Sequence, residues 1–158
     1  MGVTLLLVGL LSHIAMAGKN PRSELEFFKG AWTLAGHENT FKEVCDWLPG
    51  DGFVACHAED RSETKPDYSM SIFGYSEGDD LYTYNGFNAA SSQRTLRGTV
   101  HDGVWRFFGQ PDRGPAWRRW QVTITPTAEG FQFREETSER GGPWKEAFKT
   151  NYVRVRNK

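Results

Sequence analysis

Glu43 and Asp60 are the residues whose type and placement best suit chemistry. Segments 40–48 and 53–61 read as strands, joined by the four-residue turn Pro49-Gly50-Asp51-Gly52. With Leu48 closed onto Phe53, one face of this hairpin carries Phe41, Glu43, Cys45 and Trp47 against Val54, Cys56, Ala58 and Asp60. The other face sets Lys42 opposite Glu59, a cross-strand ion pair suited to a wet surface. The first face is therefore assigned to the interior. A carboxyl group there is unfavourable unless it is paired or solvated. Without a partner its pKa rises, and it becomes a candidate general base. Arg94, Arg97, Arg106, Arg118, Arg119 or a tyrosine would supply the partner, and pairing is the expectation for both carboxylates.

The same register puts Cys45 directly opposite Cys56. Such a pair oxidises with little backbone movement at a closely spaced position of the ladder. The alternative is two small buried thiols packed side by side.

Other chemistry is thinly represented. His37, His57 and His101 show no spacing that suggests a metal site, and all three read as surface or rim residues. There is no Gly-x-Ser-x-Gly, no phosphate loop, no dinucleotide fingerprint and no recognisable Cys–His pairing. No cofactor is expected. Trp105-Arg106-Phe107-Phe108 and Trp117-Arg118-Arg119-Trp120 mix rings with guanidinium groups, which suits an aromatic or anionic ligand. Single strands of nucleic acid also use such surfaces. A formal net charge of -1 and a pI near 6.4 argue against a nucleic-acid partner.

The elements that must position these groups are strands. Aromatic residues make up 14% of the 158-residue chain and there are 17 glycines, which fits ring-bearing strands cut by turns. About ten strands are predicted, at 31–37, 40–48, 53–61, 67–75, 80–87, 94–101, 104–109, 117–125, 130–137 and 145–156. Asp102-Gly103 is a two-residue hairpin signal. Closing this antiparallel meander removes its edges, so an all-β, up-and-down closed barrel is favoured. Ser23-Glu24-Leu25-Glu26 has the pattern of a capping box and predicts a short helix to about Lys29, with Leu25, Phe28 and Phe27 plugging one barrel end. Residues 18–22 read as a linker, and 23–158 as the barrel domain.

Residues 1–17 have a short apolar stretch followed by Ala15-Met16-Ala17, a small-x-small pattern. They read as a cleavable secretory signal peptide, which would place the chain in the periplasm or outside the cell without stable membrane insertion. A cysteine pair fits an oxidising compartment.

Gly30-Ala31-Trp32 opens the first strand after the helix, and the chain closes on Tyr152-Val153-Arg154. These stretches resemble the Gly-x-Trp start and Tyr-x-Arg end of calycin-like barrels. Ile72-Phe73-Gly74-Tyr75 with Tyr82 and Tyr84, and the run from Phe133 through Gly141-Gly142-Pro143-Trp144, resemble further strands of a mostly bacterial calycin-like family without an assigned activity. Ser76 departs from that family's pattern. The resemblance spans roughly residues 23–156. It implies a barrel with a central cavity, in which an arginine of the last strand covers the first-strand tryptophan. Arg154 and Arg156 are both candidates, and Arg154 fits the motif. Gly30, Trp32, Arg154, Cys45 and Cys56 are thus expected to be structural.

The functional expectation is a barrel that binds a small hydrophobic or amphipathic molecule in its interior. Tyr68, Met70 and Ile72 alternate on one strand, as do Trp120, Val122 and Ile124. Glu43, Trp47, Asp60, Tyr68, Met70 and Trp120 are the candidate ligand-binding residues. Two alternatives stand beside this one: a structural or partner-binding barrel filled by its own aromatic residues, and an isomerase, cyclase or hydrolase using a buried carboxylate.

Overall fold

The computed structural model describes residues 20–109 and 117–155. Ten antiparallel strands close into one barrel: β1 Gly30–Leu34, β2 Phe41–Trp47, β3 Phe53–Asp60, β4 Asp67–Ser76, β5 Leu81–Asn88, β6 Gln93–His101, β7 Val104–Gly109, β8 Arg118–Pro126, β9 Gly130–Glu139 and β10 Lys145–Arg154. Each strand pairs with its neighbours in sequence, and β1 pairs with β10 to complete the closure. The leader read at residues 1–17 and the alternative lock residue Arg156 lie outside the described residues.

Turn chemistry sets the meander. Asp102 and Gly103 both have positive φ, 51° and 76°, the conformation of a tight two-residue hairpin whose twist matches the flanking strands. Where β6 crosses β7, the missing Cβ of Gly98 leaves room for the carbonyl of Arg106, so any larger residue would collide with backbone.

Alternation puts one face of each strand inside. Val54, Cys56, Phe107, Val122, Ile124 and Trp105 are each no more than 2% exposed. The end near the β4–β5 turn is plugged by the N-terminal helix. Phe28 stacks on Phe73 with ring centroids 3.9 Å apart and lies 4.8 Å from Trp105, while Leu25 is fully buried. Burying such side chains contributes about 2 kcal/mol each.

The helix begins earlier than the capping-box pattern suggests. It comprises α1 Pro21–Glu24 and a 3-10 turn, Leu25–Phe28. Asn20 is the cap, its side chain accepting from the Arg22 amide at 3.0 Å, and Pro21 occupies the first helical position, where its missing N–H is no loss. Ser23 instead donates through its hydroxyl to the Asn20 carbonyl.

Candidate functional site

β2 and β3 meet in the register read from the turn, with Cys45 opposite Cys56 and the two joined in a disulfide. Both cysteines are buried on the inner face. Beside them lies a cavity of about 240 Å³, which runs from Phe28 at the plug toward the β5–β6 end, where Asn88 and Ser92 border it. For scale, a dry apolar cavity of about 150 Å³ is large enough to bind benzene.

Glu43 lines this cavity. β2 carries it directly opposite Trp32 on β1 and Ala58 on β3, and it is 8% exposed. Among the described residues it has no hydrogen-bond or ion-pair partner, and burial alone pushes its pKa up to about 7. The expected pairing is therefore corrected for Glu43. Arg94, the cation on the cavity wall, is held by Glu135 at 2.6 Å and stacks over Trp120 at 3.9 Å.

Two tyrosines face the same space. Tyr84 is held above the ordinary tyrosine range by burial, with a Ser71 hydrogen bond acting against it and the Glu43 charge adding to it. Burial raises Tyr152 well above that range, with the Glu43 charge contributing again. Their hydroxyls stay protonated at neutral pH, able to donate or accept.

A carboxylate oxygen of Glu43 and the sulfurs of Cys45 and Cys56 lie within 4.8 Å of one another. The sulfurs are joined, so the group offers no thiolate to a metal ion.

Of the six candidate ligand residues, Glu43 and Trp120 line the cavity, while Met70 borders it from an outward-facing strand position opposite His57. The other three do not line it. Trp47 has inward parity but sits at the plugged end, where its indole N–H donates to Glu26 at 2.7 Å. Asp60 ends β3 at the opposite rim and accepts from the Ser62 amide at 2.8 Å; its hydrogen bonds with Ser62 hold its carboxyl below the usual range. Tyr68 pairs with Glu59 on the outer face, is 56% exposed and donates to the Glu59 carboxylate at 3.2 Å.

The three histidines of the described residues are exposed. The two aromatic–arginine runs do not form one surface. Trp105 and Phe107 are core residues while Arg106 faces out, and Arg119 lies outside between Trp117 and Trp144, 5.7 and 5.1 Å from their rings.

The structural lock is built from three elements. Trp32 and Arg154 are direct partners between β1 and β10, and the guanidinium sits 4.2 Å above the indole. Arg154 also donates to the Lys29 carbonyl at 3.0 Å, and the Trp32 indole N–H donates to the Phe28 carbonyl at 2.7 Å. Plug, first strand and last strand are tied together there.

No protein-family model and no curated protein sequence matches this chain. Its class is set by architecture: a closed ten-stranded antiparallel barrel with one plugged end, an internal disulfide and an interior cavity.

Proposed function

We propose that this chain is a calycin-like barrel that binds a small amphipathic molecule in its interior. The observation that carries the reading is the cavity itself, about 240 Å³ and rich in aromatic rings, with an unpartnered Glu43 on its wall. A concave apolar site with a few convergent polar groups is the usual form of a small-molecule pocket. The unfilled volume weighs against a barrel packed solid by its own side chains. The tryptophan–arginine lock supports the calycin resemblance, and the internal disulfide supports an exported protein. No helix among the described residues is long and apolar enough to cross a membrane.

A second reading, an enzyme, rests on Glu43, whose pKa near 7 suits general acid–base work. Replacement of Glu43 by Gln would then abolish turnover and leave binding in place.

Trp32 and Trp120 both line the cavity, so binding is read by intrinsic fluorescence together with thermal shift across a panel of small apolar and amphipathic compounds. A concentration-dependent rise in melting temperature with a matching change in emission is expected. The absence of both across the panel would overturn the reading.

A further inference from the structure

The interior has a charge imbalance. Among the described residues its wall carries two carboxyl groups, Glu43 and Glu135, and one cation, Arg94. Arg94 and Glu135 satisfy each other at 2.6 Å, which leaves Glu43 as the unmatched group. Around Glu43 stand aromatic rings and the Cys45–Cys56 disulfide. Trp32 is its ladder partner, and Tyr84 and Tyr152 lie close enough for its charge to act on their hydroxyls. A carboxylate without a cation, set among aromatic rings, is the complement of an ammonium group. The carboxylate supplies the counter-charge, and the rings attract a cation through their quadrupoles once water is excluded. An anionic ligand would meet the opposite field.

From this arrangement we infer that the ligand is a small organic cation, an amine with an apolar or aromatic body, whose ammonium group sits against Glu43 beside Trp32, Tyr84 and Tyr152. The inference rests on the interior-pocket reading and names its ligand class. The apolar body would lie along Phe73 and Phe133, and the Arg94–Trp120 stack would border it toward the β5–β6 end. No bond is made or broken; an ionised Glu43 is required, so binding releases a proton wherever Glu43 is neutral beforehand.

The test compares phenethylamine with phenethyl alcohol, a neutral molecule of nearly the same shape, by isothermal titration at pH 6 and pH 8. An alkylammonium keeps its charge below about pH 10. Tyr84 and Tyr152 stay protonated across this range, and Arg94 and Glu135 are joined as a pair. The amine is expected to bind at least tenfold tighter than the alcohol at pH 8. Its affinity should fall about tenfold at pH 6, as Glu43 takes up its proton, while that of the alcohol stays level. In Glu43→Gln the amine's advantage should vanish and the alcohol should still bind, which also shows that the variant folds.

Alcohol binding as tight as the amine in the unaltered protein would overturn the inference and leave the pocket reading intact. An amine preference that survives in Glu43→Gln would overturn it too. Binding of neither compound would count against both readings. The pH comparison on the unaltered protein needs no variant.

Discussion

Arg154 occupies the space that a side chain on Gly30 would fill. A Cβ built on Gly30 collides with Nη1 of Arg154, and the Gly30 backbone has φ of +126°, a region that L-residues rarely adopt. The glycine and the arginine of the two terminal strands therefore depend on one another, and the guanidinium can cover Trp32 only because residue 30 has no side chain.

Arg154→Ala should destabilise the barrel by about 1–2 kcal/mol, the scale of a partly desolvated cation–π contact. Gly30→Ala should be worse, by about 2–3 kcal/mol, because strain at φ +126° adds to the collision. In the double variant the collision is gone, so the combined loss should be smaller than the sum. Urea unfolding of the four proteins measures each value.

Glu43 makes stability depend on pH with a definite sign. Its folded pKa, about 7, is above the ordinary 4.5, so the folded state holds the proton more tightly than the unfolded chain. Stability from this group is complete below about pH 4.5 and is lost as pH rises through 7. The full difference corresponds to about 3 kcal/mol. Glu43→Gln should remove that part of the pH dependence and be more stable than the unaltered protein at pH 8. Chemical denaturation at pH 5 and pH 8 gives the comparison.

Reduction of Cys45–Cys56 should weaken the protein without opening the barrel. The bond closes a short loop, with a sequence separation of 11, and its removal is expected to cost about 2–3 kcal/mol. The β2–β3 ladder remains, so the far-ultraviolet spectrum should be retained while the melting temperature drops. A Cys45→Ala/Cys56→Ala variant checks the same point without reductant.

Ser71→Leu should fill part of the cavity. Ser71 lines it and bonds to Tyr84. The variant is expected to stay folded and to lose ligand binding by at least tenfold. Calorimetry with phenethylamine and phenethyl alcohol reads the loss, and circular dichroism confirms the fold.

The strand order and the β2–β3 hairpin were legible because turn residues set register locally. Pro49-Gly50-Asp51-Gly52 placed Cys45 opposite Cys56 with no knowledge of the rest of the chain. Parity did not carry across longer connections. The β3–β4 connection leaves the phase of β4 open, and the structure puts Ser69, Ser71 and Phe73 inside, so Tyr68, Met70 and Ile72 face out. The signal for the helix start was present in Asn20-Pro21, a capping residue before a proline, but it competed with the Ser23–Glu26 pattern three residues on. The pairing of Arg94 with Glu135, which leaves Glu43 without a cation, was not legible, since it joins β6 to β9, strands that are not neighbours in the barrel.

The most direct test of an interior ligand site is native mass spectrometry of the protein, recorded as isolated and after incubation with phenethylamine and phenethyl alcohol, each against a denatured sample. A non-covalent mass that disappears on denaturation is expected, present from the host or gained on incubation and lost in Ser71→Leu. A bare polypeptide mass under every condition, two hydrogens light for the Cys45–Cys56 bond, would contradict the account.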